Sequence, residues 1–426
     1  MSLNGCGAAA PSRASAPITL ELWTLQLMTF SDVIQPALDD FERAHPGVRV
    51  QWTDVPFNEG EKRAITGILG PNVPDVINLN PDFSAILAAR GALVNMAQAV
   101  SAQQRAAFLP VAWQAVTLAP GNATTTDKRA AGEMTFAAPW YLTSRVTLYN
   151  RRLLEQAGWR EPPRTMRDLI AFARQLRQRA PHAYAVMPNI AASGNFLKEL
   201  QKNGIAPYDS HNRAVFAQEA GVALLRQWRA LYAERLAPPE SLTEGPQAAV
   251  DRYQSGALAM LMTGPNFLTT IRENAPAVYR DTAVAPQFPQ DVAGQKTAMT
   301  DFATMALVVP KRSRHPQLAV ELALWLTQAR YQLALCDRAP VLPSVVAALQ
   351  DARFRQEQSR DLATRARSVS AGQLLRARAA YQIRPQQKAI NDIMDWRIQQ
   401  ALLGTMSEET AMAKAEDAIN EALKGR

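Results

Sequence analysis

The strongest constraint on the fold is a strand, helix and strand pattern between residues 18 and 52. Apolar and polar residues alternate over ITLELWT at the start of this segment, and a helical period of apolar residues follows. A second alternating run ends near Trp52. Strands joined by single helices form parallel sheets, which bind ligands at the carboxyl ends of their strands. The pattern therefore predicts an α/β fold with a site near Trp23 and Thr24, and it is equally compatible with Trp23 in the core.

Length and composition limit the classes of protein that need to be considered. The 426 residues are 47% apolar and 20% charged, which is ordinary globular composition for two or three domains. No apolar run is long enough to cross a bilayer. The net charge of +8 comes from basic residues scattered among acidic ones, which favours a solvated surface over a nucleic-acid site. Cys6 and Cys336 allow at most one disulfide bond, and no metal-type spacing of Cys or His occurs, so no metal or cofactor is predicted.

A cluster of polar side chains follows the next predicted strand, which contains Val76 and Ile77. Asn80 and Asp82 stand at the carboxyl end of this strand. A carboxylate in such a position can accept two hydrogen bonds from the hydroxyls of a sugar ring, and these bonds are stronger than neutral ones. The position of Asp82 suits N-capping of the following helix equally well, so both roles stay open.

The segment from Ala138 to Trp159 changes from a strand pattern to a helix pattern. Trp140 and Tyr141 have flat apolar faces with polar edges, which suit the C–H faces of a pyranose, and Thr143 supplies a neighbouring hydroxyl. Adjacent side chains of a strand point to opposite faces, so only one of the two rings is expected to stack on a given ligand. We favour Trp140.

Four segments, in this order, resemble bacterial extracellular solute-binding proteins of the family that feeds sugar ABC importers. They are the Pro-Asp-apolar-apolar strand from Pro74, the Pro-aromatic strand from Ala138, the frame from Gly256 through Met260 to Gly264, and the strand and basic turn from Ala303. The chain departs from the family pattern at Met166, where Trp is usual, and at Asn266, where an aromatic residue is common.

The resemblance implies a type II-like periplasmic-binding-protein fold with two α/β lobes, each with a central, mostly parallel sheet flanked by helices. The first lobe is expected to comprise residues 17–143 and 287–345, and the second residues 144–286 and 346–426. Residues 1–16 are expected to form a flexible tether, because such small polar residues bury too little apolar surface to become ordered. In this family the ligand lies between the lobes, which close around it.

The resemblance also implies ligand contacts from the second lobe. An aromatic residue after a turn often stacks on the ligand there, and Asn195 and Phe196 match this position. The same two residues also match an ordinary helix start, which is the alternative. Backbone N–H groups beside Gly264, Asn266 and Phe267 can bind hydroxyls or an anion at the start of a helix.

Three further residues are assigned by the same resemblance. Asp301 stands where the family usually has Gly-Gly and is counted among the ligand contacts. Arg376 is a candidate to reach the cleft, with a solvated surface position as its alternative. Cys6 resembles the lipidated cysteine of a lipoprotein box, although the apolar part of a signal sequence is not present, and a stray cysteine in the leader is the alternative.

The function implied is capture of a disaccharide, oligosaccharide or glycosylated polyol and its delivery to an ABC permease. The protein would act as a monomer in the periplasm or at the outer face of the inner membrane. Nearby arginines leave a sugar phosphate or glycerol phosphodiester open as the ligand, and a chemoreceptor-linked, polyamine-binding or iron-binding role is a further alternative. Common catalytic motifs are absent from the sequence, so no enzyme is predicted, although two carboxylates suffice for a glycosidase.

Overall fold

The computed structural model of the chain describes residues 17–119, 133–289, 302–374, 377 and 383–424. Three residues with predicted roles, Cys6, Asp301 and Arg376, lie outside these ranges, as does the predicted tether. Within them, none of the helices combines the length and the apolar character that a membrane crossing requires.

Two sheets organise the part of the chain that the structure describes. Their strands are β1 (Ile18–Leu25), β2 (Val48–Val55), β3 (Val76–Leu79), β4 (Ala138–Ser144), β5 (Val146–Asn150), β6 (Met260–Thr263), β7 (Thr282–Ala285), β8 (Phe302–Val308) and β9 (Leu342–Pro343). The larger sheet has the order β2-β1-β3-β8-β4-β9 and the smaller one the order β6-β5-β7. The opening strand, helix and strand pattern is confirmed, because β1 and β2 flank a helix and pair in parallel.

Both sheets contain more antiparallel pairs than the sequence predicts. β1 pairs in parallel with β2 and β3, but β8 runs antiparallel to β3 and β4, and β9 runs antiparallel to β4. In the smaller sheet β5 is antiparallel to β6 and β7. The expectation of mostly parallel sheets is therefore wrong in this detail. A single-helix crossover dictates parallel pairing only within one sheet, whereas β4 leads out to the other sheet and β8 returns from it.

Helices cover both sheets, and several begin where the sequence predicts. They are α1 (Ser31–Ala44), α2 (Gly60–Leu69), α3 (Pro81–Ala89), α4 (Met96–Ala99), α5 (Ala102–Ala106), α6 (Pro110–Ala115), α7 (Arg151–Gln156), α8 (Met166–Arg179), α9 (Asn195–Lys202), α10 (Glu219–Ala233), α11 (Pro246–Gln254), α12 (Phe267–Asn274), α13 (Pro276–Asp281), α14 (Pro316–Leu326), α15 (Ala329–Arg338), α16 (Val346–Leu349), α17 (Leu362–Leu374), α18 (Gln387–Leu402) and α19 (Glu408–Lys424). Short 3-10 turns span Met28–Phe30, Phe57–Glu59, Pro239–Leu242 and Ala352–Phe354. Thr165 caps α8 by accepting the Asp168 N–H at 3.1 Å.

Each sheet packs against its own apolar core. Leu22 of β1, Phe41 of α1 and Leu307 of β8 belong to a buried cluster at the larger sheet. Phe172 of α8 and Trp228 of α10 belong to a second buried cluster, which packs against the smaller sheet. Burial of these separate clusters is the main stabilising term for each of the two units.

The chain passes from the larger sheet to the smaller one through a single residue. β4 ends at Ser144, β5 begins at Val146, and only Arg145 lies between them. The Ser144 and Ser370 hydroxyl oxygens lie 2.7 Å apart, and Gln373 Nε2 donates to the Arg145 carbonyl at 3.1 Å. Helix α17 therefore holds this crossing through hydrogen bonds.

Candidate functional site

Asp54 orders the loop at the carboxyl end of β1. The Thr24 hydroxyl donates to Asp54 Oδ1 at 2.6 Å and accepts from Trp52 Nε1 at 2.8 Å. The backbone N–H groups of Leu27 and Met28 donate to the two Asp54 oxygens at 2.9 and 2.8 Å. Thr24 is fully buried, so its hydroxyl serves this network, and its role as a ligand contact stays a prediction.

Trp23 lies on the opposite side of β1, against α2. A Cβ at Gly67 would come within 2.9 Å of the Trp23 ring, so the close packing of α2 on this ring requires glycine at position 67. Trp23 also lines a surface groove of about 640 Å3 with Lys62 and Arg63. Because neighbouring side chains of a strand alternate, Trp23 and Thr24 cannot face the same cavity, and ligand contact by Trp23 stays a prediction.

Two exposed apolar side chains near the carboxyl ends of β1 and β2 were missed by the sequence reasoning. Met28 follows β1 and is 51% exposed, and Phe57 follows β2 and is 54% exposed. The carboxyl ends of parallel strands form the edge at which α/β sheets bind ligands. An aromatic residue directly after a strand is a signal that the sequence contains, so Phe57 could have been identified as a candidate.

Asn80, and not Asp82, caps helix α3. Asn80 Oδ1 accepts the Phe83 N–H at 2.9 Å, and Asn80 Nδ2 donates to Glu61 Oε1 at 3.2 Å. The alternative reading of Asp82 as the N-cap is therefore wrong, because the helix begins two residues earlier than that reading requires. Asp82 lies in the first turn, where a negative charge still interacts favourably with the helix dipole.

The Asp82 carboxyl on α3 interacts with the positive charge of Lys198 on α9, a helix that packs at the smaller sheet. The Asp82 side chain keeps contact with solvent, yet protein surrounds the carboxyl on most sides, and this burial raises its pKa above the usual value. The positive charge of Lys198 on α9 lowers that pKa, and the negative charge of Glu61 raises it further. Asp82 and Lys198 therefore interact across the two sheets, although they are far apart in sequence.

The two aromatic residues of β4 lie on one side because the strand is irregular. Pairing of β4 with β8 shifts register between Pro139 and Tyr141, as in a β-bulge. The Trp140 and Tyr141 ring centroids are consequently 5.5 Å apart, so the expectation that these rings point to opposite faces is wrong. Trp140 is only 3% exposed and belongs to the core. Tyr141 is partly exposed, and burial together with the charge of Asp54 raises the pKa of its phenol, which keeps it a neutral hydrogen-bond donor.

A cavity of about 260 Å3 brings together several predicted contacts. Thr143 of β4, Asn195 of α9, and the turn residues Gly264, Asn266 and Phe267 all line it. A Cβ at Gly264 would overlap Asn266 Oδ1, so any larger residue there would displace the Asn266 side chain. Residues from three separate parts of the sequence thus share one cavity, as the sequence predicts, and their contact with a ligand stays a prediction.

Asn195 and Phe196, adjacent in sequence, occupy different environments. Asn195 Nδ2 donates to the Asn189 carbonyl at 2.7 Å, and its Oδ1 lies 3.5 Å from Lys198 Nζ at the cavity. Phe196 has no exposed surface and belongs to the core that packs α8 and α10. The structure therefore brings Asn195 to the cavity and leaves Phe196 inside the core.

A second cavity of about 400 Å3 adjoins the first. The two share Thr143, Ser144, Gly264 and Asn266, and the second also contacts Arg367 of α17. The turn after β6 therefore forms a common wall between the two cavities. Among the described residues, no group of His, Cys, Asp and Glu is arranged to hold a metal ion.

Asp395 supports the start of α9, beside Asn195. Its carboxylate accepts the Gly194 N–H at 3.0 and 3.2 Å, and Gly194 has a φ of +64°. Burial raises the pKa of this carboxyl from 3.8 to about 6. The charge of Asp392 raises it too, whereas the N–H groups of Gly194 and Ser193 lower it.

The Asp395→Asn variant is expected to be more stable than the wild type above pH 6. The folded protein keeps the Asp395 proton up to a pH of about 6, whereas the unfolded chain loses it near 3.8, so ionisation destabilises the fold as the pH rises through this window. Urea midpoints of both proteins between about pH 3 and pH 8 test this. The two curves should converge below about pH 4, and a constant difference over the whole range would contradict the titration as the cause.

Comparisons with known proteins agree with this architecture. Residues 29–333 match the family model described as bacterial extracellular solute-binding protein. A candidate oligosaccharide periplasmic-binding protein from Synechococcus sp. MITs9220 is 33% identical, with a TM-score of 0.82 over 95% of this chain and 99% of that one. No curated protein sequence matches significantly.

More distant structures share the fold. The GacH receptor of Streptomyces glaucescens GLA.O, solved unliganded and with acarbose, is 21% identical with a TM-score of 0.70, covering 96% of this chain and 99% of that one. The cyclic alpha-maltosyl-1,6-maltose binding protein of Arthrobacter globiformis is 16% identical with a TM-score of 0.79, covering 96% of this chain and all of that one. The predicted two-lobe α/β fold class is confirmed by these matches. This chain belongs to the bacterial extracellular solute-binding protein family.

Proposed function

We propose that this protein captures a disaccharide, oligosaccharide or glycosylated polyol between its lobes and delivers it to an ABC permease. The observation that carries the proposal is the arrangement of hydroxyl, amide and charged side chains around one cavity: Thr143, Asn195, Asn266 and Lys198 line it, and Asp82 interacts with Lys198. Relatives of this fold are described as binding oligosaccharide, acarbose or a cyclic maltosyl-maltose, which supports a carbohydrate ligand.

The chemistry of these groups suits ring hydroxyls. The Asp82 carboxylate can accept two hydroxyl hydrogen bonds, and the Lys198 ammonium can donate to hydroxyl or ring oxygens. Asn195 and Asn266 offer both donors and acceptors. The exposed ring of Phe57 at the carboxyl end of β2 offers an apolar face for the C–H side of a pyranose.

For the lobe boundaries we keep the sequence prediction with one change. We assign residues 17–143 and 287–345 to the first lobe and 144–286 and 346–426 to the second, except that α16 joins the first. The Val346 N–H donates to the Ala107 carbonyl at 2.9 Å, and Ala348 is buried in the core at the larger sheet. The protein acts as a monomer in the periplasm or at the outer face of the inner membrane, and Cys6 serves as its lipid anchor.

A sugar phosphate or glycerol phosphodiester is the second candidate ligand. Arg145 and Lys198 both line the cavity, and two cationic groups favour a ligand with a negatively charged end. The start of α12 also lies at this cavity, and its helix dipole favours a negative charge there.

A thermal-shift screen with glucose, maltose, maltotriose, trehalose, glucose 6-phosphate and glycerol phosphodiesters tests the function. A ligand present at a hundred times its Kd adds about 2.7 kcal/mol to the free energy of unfolding, which raises the Tm by a few degrees. The bound sugar should be recovered unchanged, since we propose no catalysis. A sugar that is hydrolysed, or a panel without any shift, would overturn the proposal.

Asp82→Ala is expected to raise the Kd for the sugar found in this screen by about 10- to 100-fold, because charge-assisted hydrogen bonds to the ligand are lost. Isothermal titration calorimetry measures the change. Asp168→Ala is the matched control: Asp168 also lies in the first turn of a helix, so both variants lose similar dipole stabilisation. Asp82 interacts with Lys198, which lines the cavity, whereas Asp168 is not among the residues that line it. Equal effects of the two variants on the Kd would contradict a ligand contact by Asp82.

A further inference from the structure

The cavity of about 260 Å3 has an inner end that lies inside the second lobe. Thr143 and Asn266 at its outer end are exposed, whereas Glu199, Lys202 and Trp228 at its inner end are 6%, 7% and 2% exposed. These three side chains come from α9 and α10, behind the residues that face the other lobe. The cavity therefore extends from the interlobe surface into the lobe.

The inner end carries polar atoms that have no partner among the described residues. Glu199 Oε1 pairs with Lys202 Nζ, but Glu199 Oε2 is buried and accepts no hydrogen bond from any residue that the structure describes. The indole Nε1 of Trp228 is also buried and has no partner within the same ranges. Burying an ion pair in a lobe core is costly, and leaving one carboxylate oxygen and one N–H unsatisfied adds to that cost. Buried polar groups in folded proteins nearly always have a partner, so these two atoms call for one beyond the described residues, which a bound molecule can supply.

The two unpartnered atoms are chemically complementary to a hydroxyl group. Glu199 Oε2 can only accept, and Trp228 Nε1 can only donate, whereas a hydroxyl does both. Val250, Leu258 and Met260 also line the cavity and provide apolar walls. Polar groups at one end and apolar walls along the sides match the alternating hydroxyl and C–H surface of a sugar ring.

The size of the cavity limits what it can hold. Small-molecule sites usually have volumes of roughly 300–1,000 Å3, so a cavity of about 260 Å3 has space for one ring and not for an oligosaccharide. We propose that its inner end is a subsite that receives one terminal hydroxyl-bearing ring of the carbohydrate, bound by Glu199 and Trp228 within the second lobe. This subsite rests on the proposed carbohydrate function and specifies how far into the lobe the ligand reaches.

Trp228→Phe removes the N–H donor and keeps an aromatic ring. It is expected to raise the Kd for glucose, maltose or maltotriose, whichever binds, by about tenfold, the effect of one lost hydrogen bond. Trp113→Phe is the matched control, because Trp113 Nε1 is likewise buried without a partner but lies in the first-lobe core and lines neither cavity described above. The Trp113→Phe variant loses the same indole N–H at a similar cost in packing, and its Kd for the sugar should stay within about twofold of the wild-type value.

A second pair of variants removes no polar group. Ala249 on α11 lines the cavity, and its neighbour Ala248 does not, although both are partly buried. Ala249→Leu fills part of the cavity and should weaken sugar binding at least tenfold, whereas Ala248→Leu should not.

The outcomes separate the subsite from the function it rests on. A sugar that binds the wild type and is weakened by Trp228→Phe and Ala249→Leu, but by neither control, supports the subsite. A sugar that binds the wild type and all four variants equally overturns the subsite, because the sugar then does not reach the inner end and water fills it. The proposed function would still stand in that case. If none of the three sugars nor any other sugar of the thermal-shift panel binds the wild type, the carbohydrate function fails, and the subsite with it.

Discussion

Phe196→Ala is expected to lower the free energy of unfolding by about 3–5 kcal/mol, the usual cost of removing a fully buried phenylalanine. Phe196 has no exposed surface and packs in the core formed by α8, α9 and α10. Urea denaturation measures the loss, and calorimetry on the folded fraction measures sugar affinity. The Kd should change less than about threefold, because the side chain stabilises the lobe without reaching the cavity.

The matched control for this prediction is Phe267→Ala. Phe267 is partly buried, begins α12 and lines the cavity, so its removal should destabilise the fold less and weaken binding more. The opposite pattern, in which Phe196→Ala abolishes binding at little cost in stability, would restore the stacking role that its sequence position implies and would contradict its placement in the core.

Asp54→Ala is expected to cost about 3–4 kcal/mol of stability and to weaken sugar binding. The carboxylate accepts hydrogen bonds from the Thr24 hydroxyl and from the N–H groups of Leu27 and Met28, and each bond to a charged acceptor contributes about 1.5–3 kcal/mol. The sum is reduced because the loop is partly exposed and its N–H groups can bond to water. Urea denaturation and calorimetry measure the two effects.

Asp361→Ala provides the comparison. Asp361 also accepts a backbone N–H and a hydroxyl, at 2.8 and 2.7 Å, but both belong to Thr364 in the next helical turn. Losing this local cap should cost only about 1 kcal/mol. Equal stability of the two variants would show that the hydrogen bonds of Asp54 do not hold the loop after β1 in place.

Local patterns in the sequence predicted several elements of the fold. Alternating apolar residues predicted a strand from Ile18 to Thr24, and β1 runs from Ile18 to Leu25. The cap at Thr165 and the turn at Gly404 also follow from residue type, because capping chemistry and positive φ values depend on nearby residues. Signals of this kind need no knowledge of the tertiary structure.

Features that depend on distant pairing were not predictable. The bulge at Tyr141 arises from the pairing of β4 with β8. The assumption of a regular strand therefore placed the Tyr141 ring on the wrong face of the sheet. The antiparallel strands likewise reflect where the chain returns from the other lobe. The same limit applies to the site. Asp82 was found from its strand end, whereas its interaction with Lys198 exists only because the fold brings α3 and α9 together.

The single-residue crossing at Arg145 has a consequence for the energetics of lobe movement. With Ser144 and Val146 held in different sheets, reorientation at this crossing is confined to a few backbone torsions, since peptide bonds stay planar. A joint with so few degrees of freedom has little conformational entropy to gain when the lobes separate. At this joint the balance between separated and closed lobes is therefore set by the contacts that a captured molecule adds and by the surface that closure removes from water, and little by the entropy of the chain.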